Sequence, residues 1–192
     1  PQRRRLTVLS RVAESIYWMN RYVERAENVA RFIDANLQMI LDLPMGEAEQ
    51  WEPLVVTTGD RELFFSLYDR AGRENVIQFL TFDPRNPNAI VSCLQAAREN
   101  ARSVREYISS EVWQAVNAFY LQVREAEPRQ TVRELPHEFF AEIASANHRF
   151  VRVTDCSMTP VEGWHFARLG RMLERADKTS RILDVKYYII LP

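Results

Sequence analysis

The residues of this sequence best suited to chemistry are charged, and they occur twice at a constant offset. Residues 21–34 read RYVERAENVARFID and residues 171–184 read RMLERADKTSRILD. Arg21/Arg171, Glu24/Glu174, Arg25/Arg175, Ala26/Ala176, Arg31/Arg181 and Asp34/Asp184 are identical, while Glu27/Asp177 keeps its charge. Val23/Leu173 and Ile33/Leu183 stay apolar. On a helix, residues three, four and seven apart share one stripe, so Glu24, Glu27 and Arg31 line up, as do Glu174, Asp177 and Arg181. Each stripe borders an apolar face, where a charge that becomes buried needs a partner. Identity in register at charged positions argues for two helices in equivalent places of a pseudo-symmetric bundle. The expected pairing is reciprocal: Glu24 toward Arg175 or Arg181, and Glu174 toward Arg25 or Arg31.

A third charged stripe lies in the middle of the chain. ARENARSVRE, Ala97 to Glu106, places Arg98, Arg102 and Arg105 at i, i+4 and i+7. Guanidinium groups stay charged when buried and can pair both oxygens of a carboxylate, so this stripe is expected to flank the two Glu-Arg segments. The leading reading is an interhelical ion-pair network that fixes bundle register. The second is a charged pocket for an acidic or zwitterionic ligand, such as a peptide end or a phosphate. It would be formed by Glu24, Arg25, Glu27, Arg31, Arg98, Arg102, Arg105, Glu174, Arg175, Asp177 and Arg181. The third is a catalytic cluster. A carboxylate ringed by guanidinium groups stays ionised, so Glu24 and Glu174 suit electrostatic anchoring better than general acid catalysis. Complete internal pairing of the stripes favours a scaffold; a shared water-accessible cavity favours ligand binding or catalysis.

Other candidates carry less. Glu162 and His165 form a Glu-x-x-His pair, the spacing of helical di-iron sites, but no second pair accompanies it. Glu162 is better explained as the third residue of a capping box, and no metal is expected. His137 and His148 stand alone. Cys93 and Cys156 are far apart without ligand spacing, which reads as two reduced thiols of a cytosolic protein. No Gly-rich phosphate loop occurs, and no cofactor is expected. Trp18, Trp51, Trp113 and Trp164 are expected in the core.

The elements that must position these residues are helices. Leu9, Val12, Ile16, Met19, Val23, Ala26, Ala30, Ile33, Leu37 and Ile40 recur at spacings of three and four. They predict one helix from Thr7 to Leu41, roughly 50 Å long, ended by Pro44 and Gly46. Residues 43–59 read as a connector. Asp60 is expected to cap a short helix through Tyr68, and Arg73 to Phe79 forms another after Gly72. Asn86 as cap with Pro87 at the first position predicts a second long helix running to Ile108. Ser110 is expected to cap a segment reaching Arg124, closed by Pro128. Pro136 opens a helix to Val153, and Thr159-Pro160-Val161-Glu162 starts the last, running to Ile190. The fold class is all-α: a bundle of long helices with short connecting ones, pseudo-symmetric through the duplicated motif.

Composition agrees. Of 192 residues, 46% are hydrophobic, 27% charged and only five are glycine, which suits a helical globular chain. A net charge of -1 offers no bulk attraction to nucleic acid or anionic membrane. The short Arg3-Arg4-Arg5 run reads as a solvated tail. No apolar run reaches the roughly 18 residues of a spanning helix. The chain starts Pro1-Gln2 and stops at Leu191-Pro192 after an apolar run. It reads as a single domain, 1–192, lacking C-terminal helices. Ile182, Val185, Ile189 and Ile190 are then expected to leave apolar surface that favours a homodimer or further chain.

The sequence resembles the Alpha-E family, bacterial helical proteins named for a Glu-Arg motif. The resemblance rests on LSRVAESIYWMNRYVERAENVAR (Leu9 to Arg31), the Trp51-Glu52-Pro53-Leu54 segment and the Asn86-Pro87-Asn88 turn. ARENARSVREYISSEVW (Ala97 to Trp113) and GWHFARLGRMLERADKTSRILDVKYY (Gly163 to Tyr188) complete it. Members of that family are usually longer. The resemblance implies a genomic or fused association with a circularly permuted ATP-grasp ligase, often with a transglutaminase-like peptidase. ATP-grasp enzymes join carboxylates to amines, so the expectation is an accessory or binding domain for peptide or amide-bond synthesis or modification. The alternatives are an enzyme acting on a peptide or amide through Glu24, Glu174 and the arginines, and a purely structural assembly module.

Overall fold

The structure, a computed structural model, describes residues 9–41, 50–126, 135–159 and 162–190. The Arg3–Arg5 run, Pro44, Gly46, Pro128, Pro160, Val161 and the side chains of Asp184, Val185, Ile189 and Ile190 lie outside what is described. The described residues form eight helices and no strand. These are α1 (Ser10–Leu41), α2 (Glu52–Thr58), α3 (Arg61–Leu67), α4 (Arg73–Thr81), α5 (Ile90–Ser103), α6 (Ser110–Arg124), α7 (Pro136–Ser157) and α8 (Glu162–Ile190).

α1 is the axis of the molecule. Its apolar stripe, with Ile16, Met19, Val23 and Ile33 fully buried, packs against α5 and α7, and α6 closes the bundle on the far side. α5 meets this core with small and aliphatic residues, Cys93, Leu94, Ala97 and Ala101, while α7 brings Phe140, Ile143 and Phe150. Side-chain pairs give the directions. Ser103 of α5 bonds Ser15, whereas Asn88, just before α5, bonds Arg25, so α5 runs antiparallel to α1. His137 meets Asp34 and His148 meets Arg31, so α7 is also antiparallel to α1.

α8 lies outside this four-helix unit, packed on α1 and α2. It runs parallel to α1: Gly163 lies beside Ile16, Gly170 beside Tyr17, and Glu174 beside Arg21 and Arg25. Gly163, Ala167 and Gly170 form the small face of α8 that lets the two backbones approach. A Cβ on Gly170 would stand 2.4 Å from the carbonyl oxygen of Tyr17, so only glycine permits this crossing.

Several boundaries depart from expectation. The connector at 43–59 contains α2: Pro53 sits in its first turn, and Gly59, at φ 84°, ends it in the left-handed conformation. The second long helix starts at Ile90 and ends at Ser103, not Ile108. Asn86 is not its cap. It is buried, accepts the N–H of Asn88 at 2.9 Å and donates to the Phe79 carbonyl at 3.1 Å, pinning the turn between α4 and α5. Ser109, not Ser110, caps α6, accepting from Val112 N. Asp60 holds the cap position of α3 without a side-chain cap bond; its Oδ1 accepts instead from Asn88 Nδ2. Of the four tryptophans only Trp51 is buried; Trp18, Trp113 and Trp164 are half-buried.

Candidate functional site

Glu174 projects from α8 between two arginines of α1 and exposes 0% of its side chain. Arg25 grips it with two bonds, Nε to Oε1 at 2.8 Å and Nη2 to Oε2 at 3.0 Å. Arg21 adds Nε to Oε2 at 2.8 Å. Burial alone would push the Glu174 carboxyl up, but the hydrogen bonds and charge of Arg25, then of Arg21, outweigh it and hold it below the ordinary glutamate range. Arg25 continues the network. Its Nη1 donates to Asn88 Oδ1 at 2.9 Å, and Asn88 Nδ2 donates to Asp60 Oδ1 at 2.8 Å. One carboxylate on α8 is thereby tied through α1 to the turns before α5 and before α3.

The second half of the repeat makes the converse contact. Arg175 of α8 donates Nε to Oε1 of Glu24 on α1 at 2.8 Å, and Glu24 is 1% exposed. Glu27 is buried beside it and pairs with Arg31. Burial raises the Glu27 carboxyl above its ordinary value more than Arg31 lowers it, and the Glu24 charge adds to the rise. The expected reciprocity therefore exists: the arginine of each motif bonds the glutamate of the other. Glu174 receives two guanidinium groups and Glu24 receives one.

The remaining candidates lie elsewhere. Arg98, Arg102 and Arg105 do not flank the cluster. Arg98 donates to Asn117 Oδ1 at 2.7 Å and lies over the Trp113 and Tyr120 rings, and Arg105 also lies over Trp113. Arg102 is 70% exposed, 3.6 Å from Glu99. The stripe borders the apolar face of α5 on the side turned to α6, leaving Ala97 and Ala101 to meet the core. Asp177 and Arg181 pair with each other near the surface at 3.2 Å, and Arg181 also covers Gly59. Glu162 and His165 are exposed, and among the described residues no group of three or more His, Cys, Asp and Glu could hold a metal.

Three polar residues near the cluster, buried Lys178 and Asp60 and half-buried Asn88, carry no signal in the duplicated motif. Lys178 is buried, with Nζ 3.9 Å from Asp177, and burial lowers its amine below the ordinary lysine range. Its repeat counterpart is Asn28, so the repeat does not mark it. Asn88 and Asp60 sit in turns, where their residue types already have local explanations. Cys93 is buried among these charges, and burial pushes its thiol up to about 12.

Over residues 8–191 the sequence matches a family described as a predicted alpha-helical domain with a conserved ER motif. The chain belongs to the Alpha-E family. Its Glu-Arg dipeptides are Glu24-Arg25 and Glu174-Arg175, the four residues that form the reciprocal contact between α1 and α8. The Alpha-E chain is also similar to uncharacterised proteins of Mycobacterium bovis and Mycobacterium tuberculosis. It is 26% identical to each of two of these over 194 residues. The match covers 86% of this chain and 21% of each relative, so the chain spans about a fifth of their length. No solved structure matches it.

Proposed function

We propose that this chain is a non-catalytic accessory module that works with an ATP-grasp ligase, and with a transglutaminase-like peptidase where one is present, in making or modifying peptide or amide bonds. In this reading the Glu-Arg motifs are a clasp. The observation that carries it is the inward, reciprocal pairing: the two motif glutamates are spent on arginines of the opposite helix. A general acid or base must reach a substrate proton, and these carboxylates are buried against guanidinium groups. Partner contact then belongs to outward surfaces that the clasp holds in register. Both cysteines are free, which suits a reducing, cytoplasmic setting.

The test pairs the purified chain with the ATP-grasp protein. Calorimetric titration should show saturable binding, and the chain alone should neither consume ATP nor cleave or join peptides. Peptide or amide turnover by the chain alone, abolished by Glu174→Gln without loss of folded protein, would establish the enzyme alternative instead.

A further inference from the structure

The repeat that relates α8 to α1 holds in sequence but fails in burial. On α1, Ile16, Met19, Val23 and Ile33 are at most 1% exposed. Their counterparts on α8, at the same offset, are Phe166, Leu169, Leu173 and Leu183, and these are 37%, 46%, 45% and 63% exposed. α8 has kept the apolar stripe of a core helix on a face that nothing among the described residues covers. Met172 extends the stripe. Phe166, Leu169, Met172 and Leu173 form an exposed apolar patch, separated from Leu183 by Asp177 and Ser180, and such a patch marks a contact surface.

The fold itself says what fits there. Parallel α1 and α8, bonded reciprocally through their Glu-Arg motifs, are related by an approximate twofold axis along the helices. The stripe of α1 is covered by α5 and α7, both antiparallel to it. Rotation about that axis places two amphipathic helices, parallel to each other and both antiparallel to α8, against the stripe of α8. An open groove of about 710 Å³ lies at this position, lined by Ala13, Tyr17 and Trp18 of α1 and by Phe166, Leu169 and Leu173 of α8. The equivalent place on the other side of the axis, beside Gly163, is filled by Met158 at the end of α7.

We propose that the outer face of α8 is a docking surface for a pair of amphipathic helices, both antiparallel to α8 like α5 and α7 on α1, supplied by further sequence of the same polypeptide. A second copy of the chain fits less well. Its α5 and α7 stripes are already buried against its own α1, so it could offer only another α8 face. The relatives carry the matched region within chains of which it is 21%, leaving ample sequence to supply such a pair of helices. The inference does not depend on the ligase partner proposed above.

Thiol accessibility tests it. Leu169→Cys and Leu173→Cys, each in a Cys156→Ser background, are labelled with a maleimide in the 192-residue chain and in the full natural polypeptide. Glu111→Cys, on exposed α6, serves as the reference. Labelling at 169 and 173 should match the reference in the short chain and fall roughly tenfold or more in the full polypeptide. Cross-linking from the protected thiols should capture an amphipathic helical segment outside residues 1–192. Equal labelling in both proteins overturns the proposal, as does a cross-link to a non-helical segment. Protection in the short chain that grows with protein concentration assigns the face to a second copy and equally overturns it.

Discussion

Glu174→Gln isolates the clasp, because it removes a charge and an acceptor with almost no change of shape. The carboxylate is wholly buried and takes three hydrogen bonds from two guanidinium groups. Breaking a buried pair by removing one partner costs about 3–5 kcal/mol, mainly because the remaining charge is stranded. Arg21 and Arg25 are 19% and 18% exposed, so water can recover part of their solvation. This moves the expected loss to the lower end, about 3 kcal/mol. For a chain of this size that is a fall in melting temperature of roughly 6–12 °C. Urea unfolding followed by circular dichroism measures the loss, and a cycle with Arg25→Ala measures the coupling, expected at about 2–3 kcal/mol. Arg25 also bonds Asn88, so Arg25→Ala alone should cost at least as much as Glu174→Gln. A Glu174→Gln variant within about 0.5 kcal/mol of the parent, or a cycle without coupling, would refute the clasp.

Further outcomes follow from the same geometry. Gly170→Ala should cost about 1–3 kcal/mol by forcing α8 from α1, seen as a lowered urea midpoint, since the added Cβ would meet Tyr17 backbone. Glu24→Arg should be damaging alone and partly rescued by Arg175→Glu, as read by melting temperature; absence of rescue would count against reciprocity. The two carboxyls with opposite shifts should respond oppositely to acid. Glu174, lowered, contributes stability that is present above the unfolded glutamate pKa and lost as pH falls through its folded value. Glu27, raised, contributes stability that is present below the unfolded pKa and lost as pH rises through its folded value. Urea titrations between about pH 7 and pH 3 should therefore show Glu174→Gln converging on the parent in acid, and Glu27→Gln losing ground to it there. Arg102→Ala, at an exposed position with a single surface ion pair, should change stability by no more than about 0.5 kcal/mol.

What the sequence reveals depends on whether a residue repeats. Glu24, Arg25, Glu174 and Arg175 are legible because their identities recur in register, and register survives folding. The same comparison suggests reciprocal pairing before any coordinates. The arginines of α5 and of the turn after it mislead for a physical reason. Helical spacing says that Arg98, Arg102 and Arg105 border the apolar face, but not which neighbour lies on that border. Here it is α6, whose Trp113, Tyr120 and Asn117 receive Arg98 and Arg105. α2 is hidden because it is short. Pro53 in its first turn and Gly59 at its stop both resemble the punctuation of a loop. Lys178, Asn88 and Asp60 are hidden because each is brought to the cluster by tertiary packing alone.

The two halves of the repeat are not equal, and the inequality has a visible cause. Arg21 bonds Glu174, so strict symmetry would send its counterpart Arg171 to Glu24. Arg171 instead donates Nη2 to Asp155 of α7 at 2.7 Å. Its Nε and Nη1 are buried without a hydrogen-bond partner among the described residues, and so is Oε2 of Glu24. The unpaired atoms are the two sides of the contact that symmetry would make. α7 is what breaks the equivalence, because it packs beside α1 and offers a competing carboxylate to one half only. In the other half Arg21 and Arg25 also bond Tyr17 and Asn88, but no second carboxylate among the described residues competes, and Glu174 collects both arginines. The stronger half of the clasp is thus the one centred on α8, the helix that packs outside the four-helix unit and has the most need of an electrostatic anchor. Burial by α5 and α7 already fixes α1, whereas α8 is held by α1 and α2, by a glycine-lined approach and by these ion pairs.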